Sequence, residues 1–508
     1  MLRFIARRLA IALGLLLVLS VLVYWLLTLA LDPLDDLRSN PALNRDQLIE
    51  VRTAQLNLDA PWYVRYFDWL TSFVRGDLGV AWRSGQQVSN LLGGAIATSI
   101  QLVFAATCIA LIVGVTIGLI SALRQYTTFD YAITFASFVL FALPVFWVAV
   151  LLKQFLAIGV NDYLNRPSMN WPAVLGVSVV AGLFWAGAIA TELRRQLIVF
   201  GIAFAVTLGV LCYALLSGWV LDPQLGVVGV ALIGFGAAVA ITVIFAGISN
   251  RRALYAALAT AAAGVASWVG MQWLFLYVPM SELWLLGLML IAVAVACLIG
   301  WLFGGPDRGV SMRGAAIVAV IMSIAVYVDR VLQGWDIYMG ASIINRRPIA
   351  TIGAQTPNLG GDFWISQLDR WTHLLLPTIA LVLISFAGYT RYQRGSMLEV
   401  MNQDYIRTAR AKGLSERVVI TRHALRNALL PLASIVPVDF ITMIGGAVIT
   451  ETIFNWSGMG RLFITSLTGS EIDPIMAYIM ITGALAMIAN LVADFVYGLL
   501  DPRIRVNA

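Results

Sequence analysis

The stretch most suited to chemistry is YIRTARAKGLSERVVITRHALRNALLP, residues 405–431. Its single acid is Glu416, and its basic residues are Arg407, Arg410, Lys412, Arg417, Arg422 and Arg426. Only 12% of the chain is charged and 60% is hydrophobic, so this local density of charge needs an explanation. A basic loop beside a membrane suits contact with anionic lipid, docking of a cytoplasmic protein, or enforcement of topology.

The residues around these charges predict two short helices. Residues 396–412 are mostly good helix formers, and Gly413 can adopt the left-handed conformation that ends a helix. Ser415 is a suitable N-cap for a second helix over 416–429, with Glu416 in the first turn, where a carboxylate is favoured. Because topology alone requires no such order, docking of a protein is the favoured interpretation.

The composition of the chain is that of a polytopic membrane protein. Mean hydropathy is +0.87 and the net charge is +6, and a helix needs roughly 20 apolar residues to cross the bilayer. We therefore predict an all-α fold of about 12 spans, near residues 9–31, 97–121, 131–158, 172–190, 198–220, 226–248, 253–278, 283–303, 314–333, 373–392, 430–452 and 474–499.

The basic residues of the short loops predict the orientation of these spans. Arginines at 124, 194–195, 251–252, and 308 with 313 fall on the same side as the N-terminus. The positive-inside rule then places both termini in the cytoplasm and loops 32–96 and 334–372 outside. Since the positive charge is spread over many loops, it does not indicate nucleic acid as a partner.

The chain lacks the residues of a nucleotide-hydrolysing site. A P-loop needs Lys followed by Ser or Thr, whereas the only two lysines, Lys153 and Lys412, precede Gln154 and Gly413. The chain is therefore not a P-loop ATPase, and we expect no enzymatic activity from it. Two histidines, far apart, do not suggest a metal site.

An acid within one of the last spans, and a loop with an acid of its own, Glu451, at the outer end of that span, are further candidates. Asp439 lies roughly 12 Å into its predicted span, at 1.5 Å per residue. It could line a substrate path or form an interhelical hydrogen bond, and both stay open. The loop ETIFNWSGMGR, 451–461, has glycines that permit a tight bend and aromatic residues that suit the membrane interface. A gate and a plain turn are equally compatible with it.

Residues 405–431 resemble the cytoplasmic coupling loop, the EAA loop, of ABC importer permeases, most closely the B-type permease subunit of dipeptide and oligopeptide importers. That loop has Glu-Ala-Ala followed, three residues later, by Gly. Gly413 matches its glycine and Ala409 its second alanine, whereas Arg407 and Thr408 replace its glutamate and first alanine. Four further stretches resemble the same family: LRFIARRL at 2–9, RGDLGVAW at 75–82, IGGAVITETIFNWSGMGRLF at 444–463 and LLDPRIR at 499–505.

The resemblance implies a type I permease core of six spans, at 1–160 and 335–508, with coupling loop 393–429. Residues 161–334 supply an atypical insertion of six spans. The implied ATPase-coupling residues are Arg407, Ala409, Arg410, Lys412, Gly413, Ser415, Glu416 and Arg417. The implied path residues are Asp439 and Glu451. The implied gate or structural residues are Gly445, Gly446, Trp456, Gly458, Gly460 and Arg461.

The resemblance also implies a plasma (inner) membrane complex. Its other members would be a second homologous permease, two ABC ATPase subunits carrying ATP and Mg²⁺, and an extracytoplasmic substrate-binding protein that delivers a peptide. The chain itself would bind no cofactor. Two other functions stay open: a proton-coupled secondary transporter with 12 spans, and a membrane scaffold or sensor derived from a permease. The residues do not distinguish peptides from nickel chelates or oligosaccharides.

Overall fold

The computed structural model of this chain describes residues 2–39, 44–167, 170–247, 249–305 and 308–500. Over these ranges the secondary structure is helical except for one two-stranded antiparallel sheet. Twelve of the described helices are long and apolar enough to cross a membrane. The predicted all-α polytopic fold with about 12 spans is therefore confirmed. The cytoplasmic orientation of the termini stays a prediction, and part of the C-terminal motif, residues 501–505, lies outside the described residues.

The chain divides into two compact units. The first consists of Met1–Leu156, Thr351–Ala354 and Leu374–Ala508, and the second of Ala157–Ala350 and Gln355–His373. The predicted limits of the insertion at 161 and 334 stay a prediction.

The N-terminal part of the first unit contains two of the candidate spans. Val80 pairs with Gln87 and Ala81 with Gln86 in its short hairpin. In chain order its elements are α1 Leu2–Ala30, α2 Asp35–Arg38, α3 Arg45–Gln55, α4 Trp62–Val74, β1 Val80–Ala81, β2 Gln86–Gln87, α5 Val88–Leu123, α6 Thr128–Ala142 and α7 Val145–Leu151.

The predicted span 131–158 is wrong as one continuous helix. Helix α6 ends at Ala142, and α7 begins after Pro144, which has no amide hydrogen to continue the ladder. A π-helical segment, Leu152–Ile158, then leads into α8, Gly159–Asn165. Hydropathy alone does not reveal the break, since both halves are apolar.

The second unit contains most of the Ala-rich and Val-rich helices. Three of them, α9, α12 and α13, begin at side-chain caps supplied by Asn170, Asn250 and Ser281. Helix α9 packs on α10, and α11 to α14 pack on one another. The helices here are α9 Trp171–Ile189, α10 Leu193–Leu216, α11 Gly226–Phe245, α12 Arg251–Tyr277, α13 Glu282–Phe303, α14 Arg308–Leu332 and α15 Trp335–Gly340.

The C-terminal helices complete the chain. Helix α16 runs for 39 residues and extends the predicted span 373–392 at both ends. A π-helical turn, Val419–Ala424, lies between α18 and α19. These helices are α16 Phe363–Met401, α17 Asp404–Ala411, α18 Glu416–Val418, α19 Leu425–Ala428, α20 Leu430–Gly446, α21 Val448–Ile453, α22 Met459–Thr468 and α23 Ile472–Leu500.

Candidate functional site

The basic stretch forms an ordered pair of helical segments in the first unit, which we call the coupling segment, residues 404–428. The predicted helix over 396–412 is interrupted at Asn402 and Gln403, so α16 supplies its first half and α17 its second. The second segment is helical from Glu416 to Ala428, close to the prediction. The coupling segment thus begins later than the predicted loop boundary at residue 393.

Gly413 makes the turn between the two segments. Its φ is +75°, in the left-handed region that glycine adopts without a steric penalty. The Gly413 amide donates to the Arg410 carbonyl at 2.9 Å, and the Leu414 amide donates to the Ala409 carbonyl at 3.4 Å. These bonds satisfy carbonyls at the end of α17, so the predicted conformation of Gly413 is confirmed.

An ion pair closes the same turn. Ser415 occupies the N-cap position, but its side chain makes no capping hydrogen bond. Instead, Arg410 donates to Glu416 through Nη2 at 2.6 Å and Nε at 3.1 Å. These hydrogen bonds hold the pKa of the Glu416 carboxyl below its usual value. Glu416 therefore stays ionised at neutral pH, and the predicted cap is replaced by a bidentate bridge.

The underside of the coupling segment is apolar and buried. Ile406 of α17 is fully buried, Ala409 is 6% exposed, and Val419 is fully buried. They pack with Met397 near the end of α16 and Ala122 near the end of α5. Asn427 also donates to the Tyr405 hydroxyl at 2.7 Å, which ties α19 to α17. The coupling segment is consequently fixed to the C-terminal ends of two long helices.

The upper side of the coupling segment carries the exposed charges. Arg417 is partly buried, and Ala409 belongs to the buried underside. The remaining predicted coupling residues are exposed: Arg407, Arg410, Lys412, Gly413, Ser415 and Glu416. The structure therefore gathers the predicted coupling residues on one element pair, with Ala409 as a packing residue rather than a surface residue.

A buried ion pair beside this segment was missed by sequence reasoning. Asp130, in the first turn of α6, is 1% exposed. It accepts from Arg394 Nε at 2.6 Å and Nη2 at 2.8 Å, and from the Ser121 hydroxyl at 2.5 Å. The sequence offered one weak signal for Asp130. The run TTFD, residues 127–130, is typical of a helix start, and Thr127 does cap α6 by accepting from the Asp130 amide. Nothing local indicates Arg394 as its partner.

Glu451 organises loop 451–461. The carboxylate is 1% exposed. It accepts from the Ser99 hydroxyl at 2.5 Å and from the amides of Gly460 at 2.7 Å and Arg461 at 3.1 Å. These amides belong to the first turn of α22, where a carboxylate is stabilised by the helix dipole. Glu451 therefore holds the loop, while its predicted place in a substrate path stays a prediction.

The glycines of this loop permit the close approach. A Cβ on Gly458 would collide with the Glu451 carboxylate, and one on Gly460 would collide with the Val448 backbone. Trp456 was expected at the membrane interface, but it is 1% exposed and donates to the Thr98 carbonyl at 3.1 Å. Trp456 therefore packs inside the protein, because loop 451–461 folds back onto α5.

Two further contacts fix the ends of this loop. Lys153 Nζ donates to the Ile453 carbonyl at 2.6 Å and lies 5.0 Å from the Phe454 ring centroid. Arg461 Nη1 donates to the Asn455 carbonyl at 3.0 Å. The loop is therefore held at the end of α21 and at the start of α22.

The remaining candidates lie on α20. Asp439 is partly buried and lies near Tyr389 of α16. Gly445 accepts a hydrogen bond from the Tyr478 hydroxyl of α23 through its carbonyl, and Gly446 ends the helix. Asp439 thus lies beside Tyr389, and its predicted place in a substrate path stays a prediction, whereas the Gly445 carbonyl joins α20 to α23.

Comparison with known proteins extends these observations. The family model described as "Binding-protein-dependent transport system inner membrane component" matches residues 201–506. The model described as "Binding-prot-dependent transport system membrane comp, N-term" matches residues 1–99. The region matched by the first model contains both the coupling segment and loop 451–461.

Several curated proteins are similar to parts of this chain. Oligopeptide transport system permease protein OppB of Mycobacterium tuberculosis is 41% identical over 155 residues, covering 30% of this chain and 48% of that protein. AppB of Bacillus subtilis is 48% identical over 136 residues, covering 27% and 43%. Dipeptide transport system permease protein DppB of Escherichia coli is 43% identical over 138 residues, covering 27% and 41%. The matched region thus spans about half or less of each relative.

Proposed function

Because this chain belongs to the family of binding-protein-dependent transport system inner membrane components, we propose that it is the permease subunit of an ATP-driven importer of short peptides. The names of its relatives, oligopeptide and dipeptide transport permeases, support the substrate class. The 12 apolar helices among its described residues and its family make it a multi-pass inner membrane protein. The peptide would cross the membrane between this chain and a second, homologous permease.

The coupling segment carries this proposal. Its underside is buried on the ends of α5 and α16, and its upper side exposes Arg407, Arg410 and Lys412. An element packed in this way moves as a rigid body when a partner pushes it. We therefore place an ABC ATPase subunit on this surface, with ATP and Mg²⁺ held by the ATPase and no cofactor on this chain.

Substrate delivery completes the proposed cycle. An extracytoplasmic binding protein would dock on the loop regions 32–96 and 334–372. Motion of the coupling segment would pass through α5 and α16 into the bundle, and the peptide would cross by alternating access. Both termini would then be cytoplasmic.

Uptake into vesicles tests the function. The chain is co-expressed with its candidate second permease, ATPases and binding protein, and uptake of a labelled tripeptide is measured. We expect uptake that needs ATP and is abolished when the Walker A lysine of the ATPases is replaced. Uptake that follows an imposed proton gradient, and is unaffected by that replacement, would establish the secondary transporter instead.

A further inference from the structure

Arg391 of α16 places a positive charge beside an apolar helix of the first unit. Its guanidinium carbon lies 4.1 Å from the ring centroid of Phe141 and 5.6 Å from that of Phe138, both on α6. Asp130 lies in the first turn of α6, and these phenylalanines follow it by 11 and 8 residues. At 1.5 Å per residue, the two rings lie about 12–16 Å along α6 from Asp130, within the apolar length of this helix.

The side chain of Arg391 extends away from the nearer end of its helix. Helix α16 ends at Met401, ten residues after Arg391. A long basic side chain near the end of a span usually snorkels toward that end, where water solvates the charge. Arg391 instead donates from Nε to the Ala387 carbonyl at 3.3 Å, one turn in the opposite direction. Its charge is therefore directed into the span and not toward the nearer helix end.

This charge has no acidic partner among the residues that the structure describes. Arg394, one turn later on the same helix, is paired with Asp130, whereas Arg391 takes part in none of the ion pairs there. Its hydrogen bond to a neutral carbonyl uses one of the five N–H groups of a guanidinium. The two rings add a cation–π attraction, but a charge within a span usually pairs with an opposite charge. Arg391 thus calls for an anion that the described residues do not supply.

A ligand can reach Arg391, because its side chain is partly exposed. The surface around it is aromatic: Phe135, Phe138 and Phe141 recur at intervals of three residues on α6 and are 54–71% exposed. Tyr392, the next residue on α16, is 53% exposed. A molecule at this surface would meet one cation and several apolar rings. The surface therefore suits a single anionic group attached to a less polar body.

Two kinds of oxyanion could meet this guanidinium, a lipid phosphate and the carboxylate of a solute. Lipid phosphates lie at the membrane surface, level with the ends of the spans. The rings beside Arg391 lie about 12–16 Å along α6 from its first turn, which is too far from the end of the helix for a phosphate at the surface. A solute that crosses the membrane is not confined to that level, and a guanidinium binds a carboxylate through two parallel hydrogen bonds. The position of Arg391 therefore favours the carboxylate.

We propose that Arg391 binds the carboxylate of a peptide while the peptide crosses the membrane. The inference rests on the proposed function, and it adds that this membrane subunit itself selects substrates with a free carboxylate. The guanidinium donates to both carboxylate oxygens, while the rings of Phe138 and Phe141 hold it in position. Between substrates, these rings and the Ala387 carbonyl are its contacts on this chain.

Uptake of two peptides that differ only in this group tests the inference. Vesicles that carry the complete importer are supplied with labelled trialanine or trialanine amide, each at a concentration that saturates the binding protein. Arg391→Gln should lower the rate of trialanine uptake by about tenfold, the effect of one lost charge-assisted contact, and change uptake of the amide by less than about twofold. Arg391→Lys should give an intermediate rate for trialanine, since an ammonium keeps the charge but not the fork of donors.

A matched control accompanies these variants. Arg195→Gln makes the same substitution in a side chain that is 74% exposed and pairs with Glu192 at the surface, so it should change the uptake of neither peptide. Arg391→Gln should itself fold, because removal of a charge from a span lowers the cost of placing that span in the membrane.

The outcomes separate this inference from the proposed function. If the wild type shows no ATP-driven uptake of either peptide, the proposed function fails and the inference fails with it. If the wild type imports trialanine and Arg391→Gln slows both peptides equally or neither, the function stands and the inference is wrong. Equal slowing with loss of the second permease from the purified complex would assign Arg391 to an acid of that subunit. Equal slowing of an intact complex would assign it to a lipid phosphate.

Photolabelling decides the question if the binding protein rejects the amide. Two tripeptides of alanine carry one 4-azidophenylalanine, either at the carboxyl end or at the amino end, and mass spectrometry locates the labelled residues. The first peptide should label residues 135–141 of the wild type several-fold more than the second, because Arg391 holds the carboxyl end there. Arg391→Gln should remove this difference. Equal labelling of residues 135–141 by both peptides, or no labelling there, would contradict the inference.

Discussion

Arg394 of α16 forms a bidentate ion pair with Asp130 of α6, although 264 residues separate them in the chain. The carboxylate is 1% exposed, and the Arg394 side chain is 27% exposed. Ser121, near the end of α5, donates to the same carboxylate. One buried acid therefore joins α5, α6 and α16 beside the cluster on which the coupling segment rests.

Asp130→Asn should destabilise the protein and weaken the proposed coupling. The substitution leaves the Arg394 guanidinium without its counter-charge, which costs several kcal/mol for a fully buried pair. Because Arg394 is partly exposed, we expect about 2 kcal/mol. Thermal unfolding in nanodiscs measures the stability, and ATP-driven peptide uptake measures the coupling.

Asp404→Asn is the control for the stability measurement. Its carboxylate is 97% exposed and lies 3.6 Å from Arg407, so its loss should change stability by less than about 0.5 kcal/mol. An Asp130→Asn variant that unfolds at the wild-type temperature would refute the structural importance of the pair. Normal uptake by a measurably destabilised variant would leave the pair structural and remove its role in coupling.

The basic surface of the coupling segment can be tested by charge exchange. Arg410→Glu places two carboxylates at the turn and removes a positive charge from the exposed side. Since the Arg410 and Glu416 side chains are 42% and 54% exposed, the pair contributes at most about 1 kcal/mol, and the variant should fold. We expect the amount of ATPase that copurifies with the chain to fall several-fold.

The double variant Arg410→Glu with Glu416→Arg distinguishes two causes of this loss. If the ion pair serves only to shape the turn, exchange of the charges restores ATPase binding. If Arg410 contacts the ATPase directly, the double variant remains defective. If the single variant binds the ATPase as the wild type does, neither explanation holds, and the ATPase does not dock on this surface.

Local chemistry made part of this structure predictable. A glycine after a run of helix formers predicted the left-handed turn at Gly413, since few other residues adopt it. Apolar length predicted the number of spans. The helix break at Pro144 was not predicted, because the mean hydropathy of a whole span does not register a single proline. The replacement of the Ser415 cap by the Arg410–Glu416 bridge was not predicted either, since it depends on the path of the turn.

Contacts between distant parts of the chain could not be predicted from one sequence. In the sequence, Asp130 and Arg394 resemble any charged residues beside a span. Their pairing results from the packing of α6 on α16. Glu451 and Trp456 were assigned from residue type and the character of the loop. Their burial results from the fold of loop 451–461 onto Ser99 and Thr98, which no local pattern encodes.

Glu451→Gln should loosen loop 451–461. The carboxylate accepts three hydrogen bonds through two oxygens, whereas an amide has one acceptor oxygen and an NH₂ group that cannot accept. At least one donor among Ser99, Gly460 and Arg461 is then left unsatisfied, and we expect a loss of about 1–3 kcal/mol. Thermal unfolding measures the loss, and hydrogen exchange over residues 454–461 locates it.

Glu282→Gln supplies the matched control, because that side chain is 70% exposed and pairs with Arg370 at the surface. The same amide substitution there should leave the unfolding temperature nearly unchanged. If hydrogen exchange in loop 451–461 is faster for Glu451→Gln but not for Glu282→Gln, the Glu451 carboxylate holds this loop in place. If the Glu451 variant matches the control in both measurements, the carboxylate does not hold the loop, and its predicted place in the substrate path becomes the better explanation for an acid at this position.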